Sequence, residues 1–233
     1  MDYYYTNKDS NEDQGGNNSL RLKVCGMNKN TAEVAVLKPE YLGFIFWKPS
    51  KRYFKGNMPH LPHSIKKVGV FVDADVAEIK ALVKQYRLLM AQLHGKESPA
   101  FCKELKKEIP QLKIIKVFSI KDNFDFNELL PFEAVCDFYL FDTKGKLPGG
   151  NGYTFNWSLL ENYPSTKPYF LSGGIGLSEL ESIVEFAKKP ESKYCHAIDV
   201  NSKFELEPGL KNIEELSKFK KLLIDDSQLK TDN

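Results

Sequence analysis

The stretch Lys67–Leu93, KVGVFVDADVAEIKALVKQYRLLMAQL, contains one complete strand–helix–strand pattern. It begins and ends with short apolar runs, Lys67–Val72 and Leu88–Leu93, which lack the alternation of a half-exposed strand. Continuous apolar runs of this length are typical of parallel strands that are covered on both faces. Between the runs, Asp75 is placed to cap a helix whose apolar residues recur at helical spacing. The stretch therefore predicts a βαβ unit of a parallel sheet.

The same pattern recurs along the rest of the chain. Six more apolar runs are predicted strands: Leu22–Cys25, Leu42–Phe46, Lys113–Phe118, Phe138–Phe141, Pro168–Leu171 and Ala197–Val200. Helical patterns lie between strands, one beginning at Ser98 with a proline in its first turn and another spanning Ser178–Phe186. Eight strands alternating with helices suit a closed barrel, which needs about 200–250 residues. We therefore predict an α/β fold, a single-domain (β/α)8 or TIM barrel, over residues 21–233.

The alternative to a closed barrel is an open, doubly wound sheet. Its dinucleotide-binding version needs a Gly-x-Gly-x-x-Gly turn after the first strand. The chain has Cys25-Gly26-Met27-Asn28-Lys29-Asn30 at that place, which lacks the glycine pattern. The sequence therefore favours the barrel.

Two segments depart from the regular alternation. Residues 1–20 are polar and rich in Gly and Asn, and such a segment buries too little apolar surface to offset the entropy of ordering. We predict that they form a mostly flexible leader, with the alternative that Tyr3, Tyr4 and Tyr5 cover an edge of the barrel. The segment 48–62, after the second strand, contains three prolines, each of which disrupts a helix. It predicts a loop with at most two helical turns, and hence a degraded second helix.

Composition excludes several functional classes. The 233 residues include 33 basic and 31 acidic ones, and a net charge of +2 argues against a general nucleic-acid binder. The four cysteines form no Cys-x-x-Cys pair, so neither a zinc site nor a disulfide scaffold is expected. No apolar run approaches the ~20 residues of a membrane-spanning helix, and no signal sequence is evident. The sequence predicts a cytoplasmic protein without a metal or a membrane partner.

Polar residues follow most of the predicted strands. In barrels of this type, the active site lies at the carboxyl ends of the strands. The residues found there are Cys25, Arg52, Asp73, Gln92, His94, Asp142, Ser172-Gly173-Gly174 and Asp199-Val200-Asn201-Ser202. Each also has a structural alternative, such as a buried thiol or a turn-forming carboxylate. The glycine pair after the seventh strand favours phosphate binding, because exposed backbone N–H groups can hold anionic oxygens.

In this order, the motifs resemble the phosphoribosylanthranilate isomerase family over residues 21–224. The matching stretches are Lys23–Met27, Leu42–Phe46, Ser50–Tyr53, Val68–Val72, Ala91–Glu97, Phe141–Thr143, Gly149–Gly152, Phe155–Trp157, Leu171–Ile175 and Ile198–Ser202. The resemblance implies an isomerase of tryptophan biosynthesis. It would convert N-(5-phosphoribosyl)anthranilate, a small phosphosugar, to 1-(2-carboxyphenylamino)-1-deoxyribulose 5-phosphate by an Amadori rearrangement. No cofactor would be needed, and the enzyme would be a monomer or a homodimer.

The resemblance also implies roles for individual residues. Asp142 would be the general acid and Cys25 the general base, whose pKa we expect nearby cations to lower. Arg52 would pair with the anthranilate carboxylate, and Gln92 and His94 would contact the substrate. The phosphate would lie on Gly173, Gly174, Ile175, Asn201, Ser202 and Lys203.

Three positions depart from the family pattern. Lys51 stands where a proline is usual, Asn151 replaces a Thr or Ser, and Lys203 replaces a glycine. Two alternatives to this assignment remain. One is the histidine-pathway phosphoribosyl isomerase, which performs the same rearrangement but has an Asp where this chain has Cys25. The other is a catalytically inactive, phosphate-binding barrel.

Overall fold

The computed structural model describes residues 20–120, 123–143 and 156–228, and within them eight parallel strands form a closed barrel. The strands are β1 (Arg21–Val24), β2 (Tyr41–Ile45), β3 (Lys66–Phe71), β4 (Met90–Leu93), β5 (Lys113–Ile120), β6 (Phe138–Thr143), β7 (Tyr169–Leu171) and β8 (Cys195–Val200). Each strand pairs with the next along the chain, and β8 pairs with β1 to close the barrel. The predicted barrel and all eight predicted strands are confirmed. Most of the predicted leader and the Gly149–Gly152 loop, with Asn151, lie outside the described residues.

Five α-helices accompany the strands in the described part of the chain. They are α1 (Thr31–Val36), α2 (Val76–Tyr86), α3 (Pro99–Glu108), α4 (Leu180–Ala187) and α5 (Ile213–Gln228). The Asp75 side chain accepts a hydrogen bond from the Glu78 N–H, and Ser98 does the same for Phe101, which confirms both predicted N-caps. The pattern at Ser178–Phe186 becomes a short 3-10 turn, Leu177–Glu179, followed by α4.

Three connections contain no α-helix among their described residues. The segment between β2 and β3 contains turns and one isolated bridge from Ile45 to Tyr53, which confirms the degraded second helix. After β5 and β6, the alternation predicted helices, but the described residues there form 3-10 helices, Phe126–Phe132 and Trp157–Asn162. That prediction is wrong. In the first of these helices Pro131 lacks the N–H that an α-helix would use.

Two short strands follow β8 and were not predicted. They are β9 (Glu205–Glu207) and β10 (Leu210–Lys211), which pair as an antiparallel hairpin beside the barrel mouth. Among the described residues, every helix is too short or too polar to cross a membrane.

The apolar core has two parts, one on each side of the barrel wall. The larger lies between the strands and the surrounding helices. The smaller fills the barrel interior with Tyr41, Val68, Met90, Ile115, Val117, Leu140, Phe170 and Ala197. Alternate residues of a strand share a face, so the next interior positions on three strands are Gln92, Asp142 and Asp199. A polar layer therefore lies above the apolar interior, at the carboxyl ends of the strands.

Candidate active site

Cys25 lies directly after β1, at the barrel mouth. Its N–H donates to the Val200 carbonyl at 2.8 Å, which continues the pairing of β1 with β8. The thiol is only 5% exposed. A Cβ atom placed on Gly43 of β2 would lie 2.9 Å from the Cys25 Sγ, closer than real contacts allow. Gly43 therefore provides the space that the thiol occupies.

Gly26 brings Cys25 close to two other predicted site residues. It has φ +74°, a conformation that favours glycine. A Cβ atom there would lie 2.5 Å from the Asn201 Oδ1 and 2.8 Å from the Arg52 Cδ. The Cys-Gly pair thus allows Arg52 and Asn201 to pack against the backbone beside the thiol.

Two buried charged residues lie next to the thiol inside the barrel. The Lys23 Nζ is 2.9 Å from the Asp199 Oδ1, and the two side chains are 0% and 5% exposed. Burial raises the pKa of the Cys25 thiol, while Lys23 and Lys211 oppose that change without outweighing it. The expectation that the pKa of Cys25 lies below its usual value is therefore wrong, because desolvation exceeds the effect of the cations.

Asp142, His94 and Gln92 form the opposite side of the mouth. Asp142 is at the end of β6, and its Oδ2 lies 3.6 Å from the His94 Nε2. The His94 Nδ1 is 3.4 Å from the Gln92 Nε2. Gln92 is 2% exposed, and its Oε1 has no hydrogen-bond partner among the described residues.

The turn that carries His94 is fixed by its neighbours. Glu97 accepts hydrogen bonds from the N–H groups of Gly95 and Asp73, and Lys116 donates to Glu97 at 2.8 Å. The Asp73 carboxylate accepts from the Lys96 N–H at 2.6 Å. Asp73, which also follows a strand, is therefore part of the turn structure.

Arg52 is held by an acidic residue of β9. Its Nε lies 2.9 Å from both Glu205 carboxylate oxygens, and its Nη2 lies 2.6 Å from the Oε2. Glu205 also accepts from the buried Lys211 Nζ at 2.8 Å. Burial alone would raise the pKa of Glu205, but Arg52 and Lys211 hold it below the usual range. Lys211 in turn donates to the Asn201 Oδ1 at 2.8 Å.

The loops after β7 and β8 meet at the predicted phosphate site. Gly173 and Gly174 have φ values of +100° and +67°, and a Cβ atom on Gly173 would collide with Thr143. Ile175 is buried, whereas Ser202 and Lys203 are exposed. A Cβ atom on Gly176 would lie 3.1 Å from that of Lys203, so the two loops are in close approach.

The predicted site residues thus occupy one mouth. Cys25, Arg52 and Asn201 lie together, Gln92, His94 and Asp142 lie together, and Asp199 interacts electrostatically with both groups. Sequence reasoning did not single out Lys23, Glu205 or Lys211, and it placed Asp199 at a strand end without giving it a role. Lys23 had a detectable signal, because it stands two positions before Cys25 and so shares its face of β1.

The fold and the mouth define a (β/α)8-barrel enzyme with acid–base groups and a glycine-rich loop after its seventh strand. The sequence model of a family described as N-(5'phosphoribosyl)anthranilate (PRA) isomerase matches residues 22–221. Isomerases of that name from Parabacteroides distasonis and Phocaeicola vulgatus are 40% and 37% identical over 206 and 193 residues. These alignments cover 85% and 82% of this chain, and 90% and 91% of the relatives.

Solved structures agree with the sequence comparison. Phosphoribosylanthranilate isomerase from Thermotoga maritima superposes with a TM-score of 0.75 at 27% identity, covering 88% of this chain and 98% of that one. The Thermus thermophilus isomerase gives 0.73 at 25% identity, covering 88% and 99%. The chain belongs to the phosphoribosylanthranilate isomerase family.

The resemblance inferred from the sequence is thereby confirmed. The protein is an isomerase of tryptophan biosynthesis that converts N-(5-phosphoribosyl)anthranilate to 1-(2-carboxyphenylamino)-1-deoxyribulose 5-phosphate by an Amadori rearrangement. The family assignment favours this activity over that of the histidine-pathway isomerase and over an inactive barrel.

Proposed function

We propose that Cys25 and Asp142 carry out the proton transfers of this isomerisation, Cys25 as general base and Asp142 as general acid. The observation that supports the proposal is their common position. Cys25 directly follows β1 and Asp142 is the penultimate residue of β6, both above the apolar interior, and both interact electrostatically with Asp199. A small substrate bound over that layer would have an acid on one side and a base on the other.

The reaction needs two such groups. Protonation of the ribose ring oxygen opens the ring and leaves a Schiff base between C1 and the anthranilate nitrogen. When the proton is removed from C2, the electron pair of the C2–H bond forms a C1–C2 double bond, and the positive charge on the nitrogen is neutralised. The resulting enolamine tautomerises to the ketone. Each group in such a pair typically accelerates a reaction about 10²–10⁴-fold.

Arg52 is the proposed partner of the anthranilate carboxylate. Its planar guanidinium suits a planar carboxylate, and the pair with Glu205 fixes its orientation before substrate binds. His94 and Gln92 are proposed to contact the substrate from the opposite side. The buried Gln92 Oε1 has no partner in the part of the chain that the structure describes, which supports this, because a buried polar atom is stabilised by a hydrogen bond from a bound molecule.

The phosphate is proposed to bind between the loops after β7 and β8. Gly173 and Gly174 have left-handed conformations and no side chains, and backbone N–H groups in such a turn can bind anionic oxygens. Ile175, Asn201, Ser202 and Lys203 complete this proposed site. Lys203 replaces the usual glycine of the family and adds a positive charge beside Gly176.

We also propose that the enzyme is cytoplasmic and acts as a monomer or a homodimer, with no nucleic-acid or membrane partner. Every step above is a proton transfer within reach of side chains, so we expect the rate to be unchanged by a chelator.

The assignment of Asp142 as the general acid is tested by replacing it with Asn, which keeps the shape of the side chain but removes the transferable proton. The matched control is Asp75→Asn, because Asn caps a helix as well as Asp does. We expect Asp142→Asn to lower kcat at least ~10²-fold, with the control unchanged. A near-parental kcat for Asp142→Asn would exclude Asp142 as the acid.

A further inference from the structure

Lys23 is a fully buried cation in the barrel interior, and none of the proposed roles uses it. It lies two residues before Cys25 on β1, so both side chains face inward. It stands opposite Asp199 in the register between β1 and β8, and its Nζ reaches the Asp199 Oδ1 at 2.9 Å. The same ammonium group acts electrostatically on the Cys25 thiol and opposes the effect of burial on its pKa. The Lys23 ammonium group therefore interacts with two acidic groups, the Asp199 carboxylate and the Cys25 thiol.

We propose that Lys23 is a positioning residue that stabilises the thiolate of Cys25, and that Asp199 is the counter-ion that Lys23 keeps once the thiol is protonated. The inference rests on the proposed role of Cys25 as the general base. Before proton abstraction, the ammonium faces both the thiolate and the Asp199 carboxylate. When Cys25 takes the proton from C2 of the sugar, its negative charge is lost. Lys23 then remains paired with Asp199, so the buried ammonium has a counter-ion throughout the step.

The surrounding charges support this arrangement. Burial lowers the pKa of Lys23, but Asp199 and Cys25 more than offset this, so the pKa is raised and Lys23 stays protonated. On the other side of the thiol, Lys211 of β10 also favours the thiolate, but it is already paired with Glu205. Asp199 acts in the opposite direction on Cys25. Lys23 is the cation with the largest effect on Cys25.

More distant groups act through these neighbours. Asp142 and His94 face Asp199, and Arg52 faces Lys211. These three residues affect the pKa of Cys25 less than Lys23, Asp199 and Lys211 do. Among the charged groups, Lys23 and Asp199 therefore have the largest effects on the pKa of Cys25, and these effects are opposite in direction.

Because Lys23 and Asp199 change the pKa of Cys25 in opposite directions, an electrostatic role of Lys23 can be distinguished from a structural one. If Lys23 and Asp199 only hold β1 against β8, replacing either one destabilises the barrel without a directed effect on the thiol. If Lys23 stabilises the thiolate, Lys23→Met raises the pKa of Cys25 and Asp199→Asn lowers it. An opposite charge within a few ångströms shifts a pKa by about 1–3, so the two variants should differ clearly.

The experiment is a titration of the thiolate ultraviolet absorbance in the full-length chain, with Cys25→Ala as the blank for the other cysteines. We expect the midpoint of Cys25 to rise by about 1 or more in Lys23→Met and to fall in Asp199→Asn. The acid side of the pH profile of kcat/KM should shift by the same amount as the Cys25 midpoint. At a pH below the midpoint, kcat/KM of Lys23→Met should therefore be about 10-fold lower than that of the parent, with little change in KM.

A double variant covers the case in which Lys23→Met does not fold because Asp199 is left buried without a partner. Lys23→Met with Asp199→Asn removes both charges, and its midpoint should lie above that of Asp199→Asn alone. Equal midpoints in those two proteins would overturn the inference. If the midpoints shift but the kcat/KM profile does not follow, Lys23 affects the thiol but Cys25 is not the base, and it is the proposed function that fails.

Discussion

The guanidinium group of Arg52 and the carboxylate of Glu205 form a two-pronged ion pair at the barrel mouth, with Nε and Nη2 at 2.6–2.9 Å from the oxygens. The two residues are 153 positions apart in the chain, and Glu205 is the first residue of β9. The Glu205 side chain is 4% exposed, whereas the Arg52 side chain is 24% exposed. A substrate carboxylate would therefore approach Arg52 from the open side of the pair, through Nη1.

The first prediction concerns the contact of Arg52 with the substrate. If Arg52 binds the anthranilate carboxylate, Arg52→Ala should raise KM about 10- to 150-fold, which corresponds to the 1.5–3 kcal/mol of a charged hydrogen bond. Steady-state kinetics measure this directly. Lys51→Ala is the matched control, because Lys51 is the neighbouring exposed cation. An effect on KM from Lys51→Ala but not from Arg52→Ala would place the carboxylate on Lys51.

The second prediction concerns Glu205 and the pH dependence of stability. Because Arg52 and Lys211 hold the pKa of Glu205 below its usual range, its ion pairs stabilise the fold above the pKa of an unfolded Glu. This contribution is lost as the pH falls through the lower, folded-state pKa. Glu205→Gln should lower the free energy of unfolding by about 1.5–3 kcal/mol at neutral pH, and the difference should shrink on acidification.

Glu207→Gln provides the control for that measurement. Glu207 is in the same hairpin and pairs with Lys29 at 2.9 Å, but both side chains are about half exposed. Such surface pairs contribute about 0–1 kcal/mol, so this variant should unfold nearly like the parent. Urea titrations of the three proteins at two pH values suffice. If the loss of unfolding free energy in Glu205→Gln grows as the pH falls, the pKa of Glu205 is not lowered in the folded protein and the prediction is wrong.

The third prediction concerns the space that Gly43 provides for the thiol. In Gly43→Ala the new methyl group meets the Cys25 Sγ, so the thiol must move. A misplacement of about 1 Å in a reacting group can cost about 10²-fold in rate, and we expect kcat to fall by up to that factor. Gly56→Ala is the contrasting variant, since Gly56 has φ +109° but no atom near its Cβ position. It should lower the melting temperature without lowering kcat.

The fold could be predicted because the strands are continuous apolar runs. The predicted bounds of β2 and β3 differ from the observed ones by one residue. The prediction for β5 and β6 stopped too early, because Ser119 and Asp142 continue the pairing with polar side chains. The 3-10 helices were missed because the alternation rule predicts a connection but not its hydrogen-bond pattern.

The candidate site could be predicted only in part. Positions such as Cys25 and Asp142 follow from the rule that chemistry lies at the carboxyl ends of the strands. The pair of Arg52 with Glu205 could not be inferred from spacing, because it depends on a hairpin that the sequence pattern did not reveal. The raised pKa of Cys25 depends on how deeply the thiol is buried, which local sequence does not determine.

The central claim, that Cys25 is the general base, is tested most directly by the turnover of Cys25→Ser in a fluorescence assay of phosphoribosylanthranilate consumption. Serine nearly preserves the volume, but its hydroxyl is a far weaker base than a thiolate. The control is Cys195→Ser, at the opposite end of β8 from the mouth. We predict that Cys25→Ser melts near the parental temperature while kcat/KM falls at least ~10²-fold, and that the control keeps parental activity. A folded Cys25→Ser protein that retains most of its activity would contradict the account.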